Sequence, residues 1–481
     1  MKVKELYIKK YHQFEDFHLN LTYPEAHKKA GQPLDKVCFI GQSGTGKTSL
    51  LGILKFFIEN NDLQLLGKKP LQSLEEGAWI DFGFPQFLTD LSRVETFIPR
   101  LKIINNKISL NYCHKTADGI KDIYYLENGT FNFLNDEFKQ QLVTPENAKS
   151  LLFQYFDEMK KGIIFNFPCD ILLPKSGKPN NKVTSLEDDI FSDEKNIDFE
   201  NYDINKIWKV INEAIVEDRE LEIKKSLEIS KILRNPKVSK TELDKATDEF
   251  RKWREETPNP IQDLADNYLD RIIGRFNLKV KTELDFEKKE DIETIKIQQK
   301  NGKEIPFEAL STGTKQVILT ALPLYSLKPK DSIILFDEPE RSLYPDIQAE
   351  IVKFYTDMAS ECQFFFATHS PLVASSFEPW EIVELKFNEE TGNVYQELYY
   401  DSEKGRHVDN YTIDPRYLRW DGILKKVFDL EKEGNDMRVS ELVNLATLES
   451  QLKNNNLSPE QKKEKFEEYK KLANLLNWDL N

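Results

Sequence analysis

Cysteine is scarce in this chain. The four present (Cys38, Cys113, Cys169 and Cys362) are spread over 481 residues, and none falls in a CxxC pair. That excludes a disulfide framework and a thiolate zinc site, and it makes a reducing, cytoplasmic setting the expectation. No run of about 18 apolar residues exists, so no membrane-spanning helix is expected. The first residues, MKVKELYIKKYHQF, alternate charged and apolar side chains without an apolar h-region, unlike a secretory signal. Positive charge is in deficit, with 67 Lys+Arg against 82 Asp+Glu and a net charge of −15. A protein that simply coats nucleic acid would carry the opposite balance. There is no internal repeat.

What is present can build a large core: 39% of residues are hydrophobic, including 31 Phe, which excludes wholesale disorder. The length allows about three domains, or one large domain with insertions. The negative charge is uneven. Residues 187–200 hold seven acids and one lysine and read as a solvated loop, whereas residues 1–50 hold eight lysines against five acids.

The chain opens with two strands, Val3 to Lys9 and Phe17 to Leu21. A Pro-, Gly- and Lys-containing loop leads to Val37-Cys38-Phe39-Ile40, a short continuous apolar run typical of a strand buried on both faces of a parallel sheet. Residues 77–135 are strand-rich with Asn, Asp and Gly turn signals. A helix near 145–160, a strand at 162–167 and an exposed linker at 174–185 follow. Residues 203–256 read as a helical hairpin with arms of about 20 residues, each spanning roughly 30 Å. It breaks at Asn235-Pro236 and restarts at the capping box Ser239-x-x-Glu242. A helix at 260–276 precedes strands near 278–284 and 292–299 and a turn at Asn301-Gly302. After residue 410 the pattern is helical again, with a second capping signal at Ser458-Pro459-Glu460-Gln461.

Chemistry is concentrated in four short motifs. Gly41-Gln42-Ser43-Gly44-Thr45-Gly46-Lys47-Thr48 matches GxxxxGK[ST] and sits between an apolar strand and an apolar-periodic helix that includes Ser49. Glycines let the backbone turn its N–H groups toward phosphate oxygens, and the helix N-terminus favours the same anion. Lys47 is expected on the β- and γ-phosphates of ATP and Thr48 on Mg²⁺. Ser332 to Glu338 (SIILFDE) is a strand ending in two carboxylates: Asp337 is the expected second Mg²⁺ residue, and Glu338 the group that polarises the attacking water. Leu310-Ser311-Thr312-Gly313-Thr314-Lys315-Gln316 opens a helix and reads as a second anion site. Because one nucleotide does not need two, Ser311 and Gly313 are expected to meet the γ-phosphate held by a second subunit; an ordinary Ser N-cap is the other reading. Phe364 to Pro371 (FFFATHSP) is a buried strand that ends at His369, where a γ-phosphate sensor would sit.

The four motifs, in this order, resemble the ABC-type ATPase heads of the structural-maintenance-of-chromosomes and RecF-like class. Arg341-Ser342-Leu343-Tyr344-Pro345 is similar to that class's D-loop. The resemblance carries residues 1–57 and 305–375 and extends in style to ATPase subunits of bacterial anti-phage systems, such as the Septu, retron-associated and PARIS ATPases. It implies an α/β ATPase head with a mixed, largely parallel sheet, an inserted helical hairpin and a helical C-terminal tail. The implied division is an N-terminal lobe at 1–172, a linker and insertion at 173–276, a C-terminal lobe at 277–400 and a tail at 401–481. It also implies ATP hydrolysis with Mg²⁺ and a homodimer or higher homo-oligomer closed around ATP.

The class's Mg²⁺-to-water glutamine has no clear counterpart; Gln86 is the candidate, with Gln72 second. Tyr11, His12 and Phe14 are candidates for stacking on adenine, with core packing as the competing reading. Lys47 and Ser311 lie 264 positions apart, too far for a transporter head. The insertion is too short for a chromosome-spanning coiled coil and lacks a zinc hook. After His369 no acid cluster of a fused TOPRIM nuclease is evident, and His407 has no His partner for an HNH site. The expectation is therefore a head that controls a separate effector, a nuclease or a toxin. The face of Trp420, Ile423, Val427 and Phe428 either docks that partner or packs on the head. A RecF-like repair ATPase acting on DNA and a low-turnover scaffold that silences its effector are the alternatives.

Overall fold

The structure, a computed structural model, describes residues 2–59, 74–83, 97–133, 164–169, 196–199, 204–282, 295–398 and 414–478, with short breaks inside several of these spans. The expected helix at 145–160 and linker at 174–185 fall outside them. The described chain divides into two compact units, Met1–Tyr417 and Leu418–Asn481.

In chain order the first strands and helix are β1 (Lys2–Tyr11), β2 (Phe14–Asn20), β3 (Lys36–Gly41) and α1 (Lys47–Glu59). Next come β4 (Trp79–Gly83), β5 (Phe97–Ile104), β6 (Lys107–Thr116), β7 (Gly119–Glu127), β8 (Thr130–Phe133), β9 (Ile164–Phe167) and β10 (Asn196–Asp198). The insertion holds α2 (Ile204–Leu233) and α3 (Lys240–Glu256). Then follow α4 (Pro260–Asp263), α5 (Asp270–Ile273), β11 (Leu278–Val280), β12 (Ile297–Gln299), β13 (Glu304–Ile305) and α6 (Thr312–Leu327). The head closes with β14 (Ile333–Asp337), α7 (Pro345–Met358), β15 (Gln363–Ala367), α8 (Pro371–Ala374), β16 (Ile382–Phe387) and β17 (Val394–Gln396). The second unit holds α9 (Trp420–Lys426), α10 (Asp436–Lys453) and α11 (Pro459–Leu476).

Among the described residues, fourteen strands form one mixed sheet in the order β10-β9-β14-β15-β3-β16-β17-β2-β1-β4-β5-β6-β7-β8. From β10 to β16 every neighbour pair is parallel. From β2 outward through β8 the strands pair antiparallel. The mixed α/β architecture expected from the sequence is therefore present, with its hairpin and helical C-terminal segment.

The parallel half is buried on both faces, as its unbroken apolar strands require. Val37, Phe39, Ile333, Leu335 and Phe365 join the core cluster that also holds α1 residues Leu50, Ile53, Leu54 and Phe57. Alternate residues of the same strands stack on the other side. Phe336 lies 5.0 Å from both Phe167 and Phe366 and 4.5 Å from Tyr355 of α7. Phe199 extends the stack at 4.5 Å from Phe167. That last contact corrects the reading of 187–200 as solvated loop at residues 196–199; residues 187–195 and 200 fall outside the described residues. Its end, Asn196-Ile197-Asp198-Phe199, alternates polar and apolar residues; Asn196–Asp198 pairs in parallel with β9, and Phe199 is buried.

Other differences are of extent. With no breaker before Asn235-Pro236, α2 runs 30 residues, about 45 Å, longer than the expected arm. The capping boxes at Ser239 and Ser458 form as read. The helix expected over 260–276 widens to a π turn at Leu264–Leu269 between α4 and α5. A π turn brings residues five apart onto one side, and Leu264 and Leu269 are both buried. The strands near 278 and 297 are three residues each, and Gly302, at φ 91, makes the turn into β13. In the second unit, Leu445, Ala473 and Leu476 form the contact between α10 and α11.

One buried polar side chain ties the amino terminus to the parallel core. Gln363 has no exposed surface; its amide donates to the carbonyls of Val3 and Leu34, both at 2.9 Å, and its Oε1 accepts from Val3 N–H at 2.6 Å. Replacing one partner leaves the others buried and unpaired, at about 1–3 kcal/mol per group. Gln363→Leu is expected to lower stability by about 3 kcal/mol or more, read from the urea unfolding midpoint.

Candidate functional site

Three parallel strands end side by side and bring the motifs together. Asp337 is in register with Ala367, and Ala367 with Phe39, so β14, β15 and β3 deliver their following residues to one edge. Open α/β sheets bind ligands at such carboxyl ends.

After β3 the chain turns through Gly41, Gly44 and Gly46 at φ 147, 87 and 86, a region that favours glycine. Gly46 is required for space as well: a Cβ there would lie 2.6 Å from Phe14 Cζ and 2.4 Å from Gln13 Nε2. Ser43 and Gly44 are exposed, while Ser49 is half-buried on α1. Lys47 turns back over the loop, donating to the carbonyls of Gly41 at 2.9 Å and Gln42 at 3.2 Å. It is 6% exposed, and burial lowers its pKa to about 8 although Glu338, Asp337 and Glu340 act to raise it. The Thr48 hydroxyl donates to the Asp337 carboxylate, 2.9 Å from Oδ2 and 3.1 Å from Oδ1. A hydroxyl and a carboxylate meeting at the helix N-terminus are the oxygen donors that a hard cation takes.

Strand β14 stops because Glu338 adopts a left-handed backbone (φ 48) and Pro339 follows. Its N–H still donates to Ala367 O at 2.8 Å, continuing the ladder one step while the side chain swings toward the neighbouring strand. Its Oε1 lies 3.7 Å from Nε2 of His369. Both side chains remain over one third exposed. Burial lowers the His369 pKa, and the nearby Lys47 charge adds to the effect.

The other expected groups sit as follows. Ser311 is exposed and caps α6, accepting from Thr314 N–H at 3.2 Å. Gly313 is buried, and a Cβ there would lie 2.4 Å from Ser342 O. Its bare backbone thus admits the Arg341–Tyr344 segment, where Ser342 is left-handed at φ 63. Gln86 and Gln72 lie outside the described residues. Phe14 is fully buried in the core cluster against the loop, which removes it as an adenine-stacking residue. Tyr11 is half-buried, with its ring 4.3 Å from that of the exposed His12.

Three residues escaped the sequence reading. Gln13 Nε2 donates to Gly44 O at 3.1 Å, tying the β1–β2 turn to the glycine loop. Glu340, 7% exposed, accepts from the Thr368 hydroxyl and the His369 N–H, and burial raises its pKa to about 7. Gln348 accepts from the Ser370 hydroxyl at 2.7 Å and donates to Leu343 O at 2.9 Å. The only local signal for any of them was the Glu340 position within the DEPE string.

A family model described as an AAA ATPase domain matches residues 1–374, more than three quarters of the chain. No curated protein matches it in sequence. Among solved structures, the chain is similar to an Smc head bound to the C-terminal winged-helix domain of ScpA, at 12% identity and a TM-score of 0.37, covering 82% of this chain and 97% of that one. It is also similar to the SMC head domain from Thermotoga maritima, at 12% identity and a TM-score of 0.33, covering 82% and 98%. A third is an Smc head with an extended coiled coil bound to the C-terminal domain of ScpA from Pyrococcus furiosus, at 13% identity and a TM-score of 0.36, covering 82% and 96%.

The electrostatics around His369 give a direct check. Followed by NMR in the nucleotide-free protein, its imidazole is expected to titrate below the usual histidine range. The midpoint should rise in Lys47→Met, because a nearby positive charge that disfavours the imidazolium is gone.

Proposed function

The chain belongs to the AAA ATPase domain family, and we propose that it hydrolyses ATP as a homodimeric head which controls a separate effector protein, a nuclease or a toxin. The observation that carries this reading is the Thr48–Asp337 contact at 2.9 Å beside the glycine loop, with Glu338 and His369 at 3.7 Å on the same edge.

In this reading the loop N–H groups and Lys47 hold the β- and γ-phosphates. The incoming polyanion favours the charged form of Lys47 and draws its amine away from the Gly41 and Gln42 carbonyls. Thr48 and Asp337 would hold Mg²⁺, which supplies charge neutralisation on the phosphates when bound. Glu338 accepts a hydrogen bond from the attacking water. The water oxygen bonds to the γ-phosphorus as its bond to the β–γ bridging oxygen breaks, and the water's proton leaves toward the Glu338 side. His369 holds a γ-phosphate oxygen. Positioning and electrostatics supply most of the rate in such transfers.

Ser311 of one subunit reaches the γ-phosphate bound by the other, and Gly313 lets the Arg341–Tyr344 turn approach the same helix start. The exposure of Ser311 supports this arrangement. In the unit Leu418–Asn481, Trp420, Met437, Val443 and Leu475 are half or more exposed, which supports a docking role for that segment. The motif-level resemblance to anti-phage ATPase subunits supports an effector of that kind.

The test is turnover and mass of purified protein with MgATP. Glu338→Gln is expected to lose about 10²–10⁴-fold in turnover, the size of a general-base contribution, and to accumulate as an ATP-bound dimer in light scattering. Lys47→Ala is expected to lose tight ATP binding and stay unassociated. Wild-type turnover in Glu338→Gln overturns the reading.

A further inference from the structure

The turn after β15 is held by a buried carboxyl group that takes no part in the Thr48–Asp337 hydrogen bond. Once the backbone reverses at Glu338, Pro339 carries the chain on so that Glu340 points beneath the exit of β15. Its Oε1 accepts two hydrogen bonds, from the Thr368 hydroxyl at 2.5 Å and from the His369 N–H at 3.3 Å. The Thr368 oxygen in turn accepts from Ser370 N–H at 2.9 Å. One carboxyl oxygen therefore fixes three consecutive residues with His369 in the middle. The far side of the turn is clamped as well: Ser370 Oγ caps α8 and donates to Gln348 at 2.7 Å. The second oxygen of Glu340 is buried without a hydrogen-bond partner among the described residues.

An acid buried this deeply costs stability unless its hydrogen bonds do something the fold needs. The backbone already anchors the exit at Thr368, whose N–H donates to Phe39 O at 3.1 Å, so what Glu340 adds is a hold on His369 itself. The residue whose N–H meets Oε1 is His369, and its imidazole faces Glu338 at 3.7 Å.

We propose that Glu340 is a positioning residue that holds the His369 imidazole against Glu338 by sharing Oε1 between the Thr368 hydroxyl and the His369 N–H. The proposal rests on the ATPase reading for its effect on rate, but not for the placement of the ring. Glu340 sets where His369 meets the γ-phosphate, so its loss lowers kcat while nucleotide affinity, carried by the loop and Lys47, is kept.

The experiment compares Glu340→Ala, Glu340→Gln, Thr368→Val, His369→Ala and the double variant Glu340→Ala/His369→Ala. The readouts are kcat, the Kd for MgATP and the histidine ring resonances of the nucleotide-free protein. Glu340→Ala is expected to lower kcat about 10-fold or more, the scale of a catalytic group misplaced by an ångström or less, with Kd changed less than about twofold. Thr368→Val, which keeps the side-chain volume, shifts kcat the same way. Glu340→Gln retains most activity, because its amide oxygen accepts both bonds. In the His369→Ala background, removing Glu340 has no further effect. The His369 ring signals, identified by their loss in His369→Ala, shift in Glu340→Ala and not in Glu340→Gln. Additive losses in the double variant, or ring signals that stay in place in Glu340→Ala, overturn the proposal. A wild-type protein without Lys47-dependent turnover overturns the ATPase reading instead, and the ring signals still decide the placement of His369.

Discussion

The rest of the site depends on one contact: the Thr48 hydroxyl donating to Asp337 across 289 positions of sequence. It forms only if β3 and β14 end at the same height with one strand between them. The registers of β15 with each neighbour meet that condition. Every other feature of the edge follows from it. The left-handed turn at Glu338 has a neighbouring strand exit to face, the glycine loop has an acid set opposite its lysine, and His369 emerges between the two. The aromatic stack through Phe167, Phe336 and Phe366 on one side, and the α1 contacts on the other, keep those strand ends aligned. A sheet buried on both faces cannot slip by one residue without placing apolar side chains against the wrong layer.

The site is also electrostatically unsettled without a nucleotide. Lys47 is buried with its amine on backbone carbonyls, Glu340 is buried with one oxygen unpaired among the described residues, and Glu338 holds a backbone conformation that costs a non-glycine residue about 1–3 kcal/mol. A polyphosphate entering the loop would relieve the first of these directly. Groups held in unfavourable states by a rigid surround are typical of sites prepared for a ligand rather than of surfaces optimised for stability.

How much of this was legible beforehand varied with range. The glycine loop, the paired carboxylates and the histidine-terminated strand were readable because each is a contiguous string whose residue types imply one local geometry. The capping boxes at Ser239 and Ser458 were readable for the same reason. The end of the acidic run was misread because charge count masked the alternation of Ile197 and Phe199. For Phe14, a residue of the first strands, adenine stacking and core packing were both readable, and its burial beneath Gly46 decides for the core. Gln363 drew no attention, since a lone glutamine in a sequence carries no sign that three backbone groups from two distant segments converge on it.

The sequence by itself determined the kind of chemistry available, since phosphate-binding glycines, a loop lysine, paired acids and a strand-end histidine are set by residue type and short spacing. Only the tertiary structure decided how these parts serve one another. It set that Thr48 meets Asp337, that Gly313 makes room for Ser342, and that Glu340 joins the backbone bond from Thr368 to Phe39 in holding the chain at His369. The physical reason is that strand order is a collective outcome of packing. Placing β15 between β3 and β14 depends on the whole aromatic and aliphatic core, and no window of sequence around any one motif contains that information.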